Sequence, residues 1–74
     1  MSKADRDIQK GYSNEEFARK LRRLADCVEM GDNFEIQVHG ERVYVPDRAL
    51  FTIEHERDDG HEELEFQVSW KVDR

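Results

Sequence analysis

From His61 to the end of the chain, apolar and polar side chains alternate almost without a break. Leu64, Phe66, Val68, Trp70 and Val72 share one parity, and Glu63, Glu65, Gln67, Ser69 and Lys71 share the other. A period of two belongs to a β-strand with one buried and one wet face. Asp59-Gly60, just upstream, is a strong two-residue hairpin signal and is expected to form a type I′ turn. A hairpin closed there pairs Asp58 with His61. It also sets Ala49 opposite Trp70, Phe51 opposite Val68, Ile53 opposite Phe66 and His55 opposite Leu64. The upstream strand alternates in the same phase, and a slip of one residue would turn every apolar side chain to the wrong face. One long hairpin with a mainly apolar face therefore constrains the fold more than any other feature.

The rest of the chain supplies a helix and a second hairpin. Ser13 and Glu16 form a capping box at a helix start, and Tyr12 and Phe17 occupy the positions of a hydrophobic staple. Phe17, Leu21, Leu24 and Val28 then recur at helical spacing as one apolar stripe. Gly31 is placed to end the helix in a left-handed turn, which predicts a helix over 14–30. Phe34, Ile36 and Val38 alternate over 34–38, Val43 and Val45 over 42–46, and Pro46 stops the second strand. His39-Gly40 and Gly40-Glu41 are both acceptable loops between them, so two registers stay open. Residues 6–12 are a further strand candidate, and residues 1–5 read as a flexible tail ahead of a single domain over 6–74. The expected fold class is α+β, in the order β-α-β-β-β-β, with the helix packed on a mainly antiparallel sheet.

This ordered set is similar to the amphi-Trp domain family of small bacterial and archaeal proteins. The resemblance runs over residues 6–72 and is carried by "SNEEFARKLRRLAD", the Gly31 stop, "HGERVYVP" and the terminal "ELEFQVSW". It implies a fold and a characteristic tryptophan position, here Trp70, and it implies no activity.

Charge and composition narrow the function classes. A formal charge of −6 disfavours nucleic acid and anionic membranes as partners, because both reward clustered Lys and Arg. Arg19, Lys20, Arg22 and Arg23 look like a basic stripe. Residues 14–30 nevertheless hold four acidic residues against four basic ones, which reads as a solvated helix face. The single Cys27 has no intrachain disulfide partner, so a reducing, cytoplasmic setting is expected. "MSKADRDIQ" has no apolar core of a signal peptide, and no run reaches membrane-spanning length.

Three side chains could carry chemistry: His55, His61 and Cys27, the basis of a small metal-dependent or thiol enzyme. No CxxC, HxxxH or HExxH spacing supports them, and no helix histidine stands ready to activate the thiol. With no phosphate loop or nucleophile arrangement either, catalysis and a cofactor are not expected. A non-catalytic binding or assembly module is the leading expectation. Glu54, Glu56, Glu63 and Glu65 share the wet face of the terminal hairpin, as a solubilising surface or a dock for a basic protein partner. A sheet of five strands is about 24 Å wide at the usual strand spacing, and one helix is about 10–12 Å across. Apolar surface should remain beyond the helix, with Trp70 and Val72 at its rim, and a homodimer is the simplest way to cover it.

Overall fold

A computed structural model of the chain describes residues 10–72. Helix α1 runs Asn14–Met30 and is followed by strands β1 (Phe34–Val38), β2 (Glu41–Val45), β3 (Leu50–Asp58) and β4 (His61–Ser69). The α+β class and the order of these five elements match the expectation. The strand expected over 6–12 falls partly on residues outside those described, and Lys10, Gly11 and Tyr12 are not in a strand.

Both ends of α1 are built by the residues expected. Ser13 is extended, and its Oγ accepts the Glu16 backbone N–H at 3.2 Å. Gly31 sits in the left-handed region at φ 72°, and its N–H donates to the Val28 carbonyl. The next N–H, from Asp32, donates back to Cys27, which completes a Schellman stop. The Tyr12 ring carries the ammonium groups of Lys20 and Lys10 at 5.0 and 5.3 Å, and Phe17 stands exposed.

The strands do not make one sheet. β1 pairs only with β2 and β3 only with β4, which gives two separate antiparallel hairpins. The open register of the first is resolved: Val38 faces Glu41 around a His39-Gly40 loop, both residues having positive φ. The second hairpin has the expected register from Asp58–His61 to Leu50–Ser69, and the expected Ala49–Trp70 pair lies just beyond the end of the ladder. Its turn is not type I′, which would require positive φ at both loop residues. Gly60 has φ 72° but Asp59 is not left-handed. The Asp59 N–H is taken by the Asp58 carboxylate at 2.7 Å, a local bond that favours a different turn.

The core is small and lies where the two hairpins meet. Phe34, Val45 and Ala49 are 6–8% exposed, and they are the buried hydrophobic residues among those described. Leu24 and Cys27 from the helix, Ile36 and Val43 from the first hairpin, and Val68 and Trp70 from the second pack around them. Short polar ties fix the junction. Asn33 Oδ1 accepts from the Asp47 N–H, Ala49 N–H closes on the Pro46 carbonyl, and the Arg48 guanidinium donates to the Lys71 carbonyl. Arg23 reaches from α1 to the Glu35 carbonyl at 3.1 Å and lies over the Phe34 ring. It joins helix to strand, a role that its place in a basic run did not signal.

Candidate interaction groove

Because the hairpins form separate sheets, β3–β4 projects past the core with its apolar face unroofed. Ile53, Phe66 and Leu64 on that face are 66%, 65% and 63% exposed, and Phe51 is also exposed. The helix stripe faces the same space. Together they enclose a groove of about 960 Å³, with Leu21, Leu24, Ala25 and Val28 on the helix wall. Phe51, Ile53, Phe66 and Val68 form the hairpin wall. Two walls that each bury little against their own chain leave apolar area of the kind that marks a contact site.

The same hairpin face becomes polar towards its tip. Glu62 accepts from Arg57 at 2.8 Å and lies 2.8 Å from His55 Nε2. The Arg57 hydrogen bond, and then that of His55, hold the Glu62 carboxyl below the usual glutamate range. This face of the hairpin therefore runs from the core, through an apolar middle that walls the groove, to a charged tip beyond it.

On the opposite face, Glu54 stands against Glu65 and Glu56 against Glu63, as the register required. Gln67 makes the first pair tolerable. Its amide donates to both Glu54 and Glu65, at 2.9 and 2.8 Å, while Thr52 donates to its carbonyl. Glu63 has no such bridge, and Glu65 and then Glu56 push its carboxyl above the usual range.

The other sequence candidates separate. Trp70 packs against the core cluster and is only partly exposed, whereas Val72 is exposed. His55 lies on the apolar face of the hairpin. His61 pairs with Asp58, an odd number of positions away, and so lies on the acidic face. Cys27 is on the helix against the core. The structure does not bring these three residues together, and no group that could hold a metal occurs among the described residues. Both walls of the groove were legible in the sequence, as the apolar parity of β3 and β4 and the helical stripe of α1, but nothing marked how far the hairpin would stand from the helix.

These features define a small α+β domain with a capped helix, two hairpins and an amphipathic last strand leading into a tryptophan. The chain belongs to the amphi-Trp domain family, whose model matches residues 4–74. No curated protein and no solved structure matches it. No described helix is long and apolar enough to cross a membrane.

Proposed function

We propose that this chain is a non-catalytic assembly module that works by burying the groove between α1 and the β3–β4 hairpin against the apolar side chains of a protein partner. The observation that carries the reading is the contrast between the two ends of one hairpin. Ala49 at the base is 6% exposed, while Ile53 and Phe66 further along the same apolar face are about two-thirds exposed. Surface of this kind is costly to leave in water, at about 25 cal/mol per Å², and its continuity along one face gives a partner a single place to dock. The acidic outer face then serves as the solvated side of the assembled ribbon.

Methyl NMR of the full chain in native extract, with a soluble paramagnetic probe, tests this reading. The expected result is that Leu21, Val28, Ile53 and Leu64 are shielded from the probe, and that Phe66→Asp exposes them. Methyls as accessible in extract as free surface groups would contradict it. A zinc titration separates the enzyme alternative, which requires joint shifts at His55, His61 and Cys27 and which this reading does not require.

A further inference from the structure

The groove is open along its length, so the question is what fills it. We infer that the occupant is a second copy of this chain, related by a two-fold axis so that each copy's hairpin lies in the other's groove. The inference rests on the assembly reading above and adds the identity of the partner.

Area is the first reason. The exposed parts of Leu21, Val28, Phe51, Ile53, Leu64 and Phe66 come to about 600 Å², at roughly 150–200 Å² for a fully exposed large apolar side chain. A stable specific interface uses about 600–1,000 Å² per partner, so the apolar middle alone reaches the lower end of that range. The polar tip can supply the remainder as a rim, with Arg57, Glu62 and His55 still reaching water.

The second reason is self-complementarity. One wall of the groove is an apolar sheet face, and the commonest cover for such a face is another, stacked about 10 Å away. The chain carries that cover itself. A two-fold arrangement consumes both copies' patches and closes, whereas a head-to-tail contact would leave one patch open at each end.

Charge gives the third. At −6 per chain, two copies repel unless their acidic faces point apart. Stacking the apolar faces puts Glu54, Glu56, Glu63 and Glu65 of each copy on opposite outer surfaces, the arrangement that keeps them furthest apart.

Two measurements on the full chain test the inference. Sedimentation equilibrium should give twice the 8.8 kDa chain mass, with Phe66→Asp weakening association by at least about thirtyfold, the scale of an interface hot spot. A mixed sample of isotope-labelled and unlabelled chains removes any dependence on that variant folding. Isotope-filtered NOEs should connect the methyls of Leu21, Val28 and Ile53 in one copy with the Phe51 and Phe66 rings of the other. A mass of 8.8 kDa at all concentrations, with the groove methyls shielded only in extract, would overturn the second copy and leave the assembly reading standing with a different partner. A monomer with its groove methyls exposed even in extract would overturn both. A dimer without those NOEs would overturn the proposed interface.

Discussion

Ile53 and Phe66 face each other directly across the β3–β4 ladder, and each is about two-thirds exposed. Cross-strand apolar pairs contribute roughly 0.2–1 kcal/mol, far less than burial of both side chains against a third layer would give. The sheet therefore holds its register through its backbone and turn while its apolar face stays unspent. That separation of register from burial leaves the apolar face of the hairpin open for the contact proposed above.

Trp70 should matter for stability before it matters for binding. It packs partly buried against a core of Phe34, Val45 and Ala49, which has little else to replace it. Trp70→Ala should cost about 3 kcal/mol, a large share of the roughly 5–15 kcal/mol available to a domain. Trp70→Phe should recover most of the loss. Urea denaturation checks both, and a loss below about 1 kcal/mol in the Ala variant would place the indole outside the core.

Adjacent glutamates should titrate in opposite directions. Glu62 is held down by Arg57 and His55, and Glu63 is pushed up by Glu65 and Glu56. For Glu62, the stabilisation is present above the ordinary glutamate value and is lost as pH falls through its lowered one. For Glu63 the sign reverses: the folded chain binds the proton more readily, so stability falls as pH rises through its raised value. Carboxyl-carbon NMR should show Glu63 protonating first on acidification. Glu65→Lys should bring Glu63 down, and salt should shrink that change. A Glu63 titration that Glu65→Lys leaves in place would show that the two carboxylates do not interact.

His39 offers a stabilising change. It is the one non-glycine with positive φ among the described residues, at 56°, in the first position of the β1–β2 loop. Asn tolerates this conformation better and is the preferred partner of a following Gly in such turns. His39→Asn should stabilise the chain by about 0.5 kcal/mol, visible as a small rise in melting temperature. A fall would mean that the imidazole makes a contact worth more than the backbone strain.

Much of this fold was legible in residue order, for reasons that differ by element. Ser13, Glu16 and Gly31 act on backbone groups within a turn of themselves, so local sequence sufficed for the helix limits. The β3–β4 register needed only agreement between two alternating strands and the Asp58–His61 closure. The pairing of whole hairpins was not legible. The Pro46–Ala49 connection, tied to Asn33 through the Asp47 N–H, directs β3 away from β2, and no periodicity encodes that direction. Arg23 is exposed, as a solvated helix face implies, but its partner was not legible for a related reason: the Glu35 carbonyl lies across a loop. The facing glutamates were read correctly as pairs, but the Gln67 amide that bridges Glu54 and Glu65 is a three-dimensional contact that their spacing did not announce.

The central claim is that this chain completes its burial against a second copy of itself, because only three hydrophobic residues are buried among those described. Melting temperature measured over a hundredfold range of chain concentration tests that most directly. If a second copy fills the groove, folding and association are coupled, and the melting temperature should rise steadily with concentration. A melting temperature that stays constant across the whole range, with the chain remaining folded at the lowest concentration, would contradict the account.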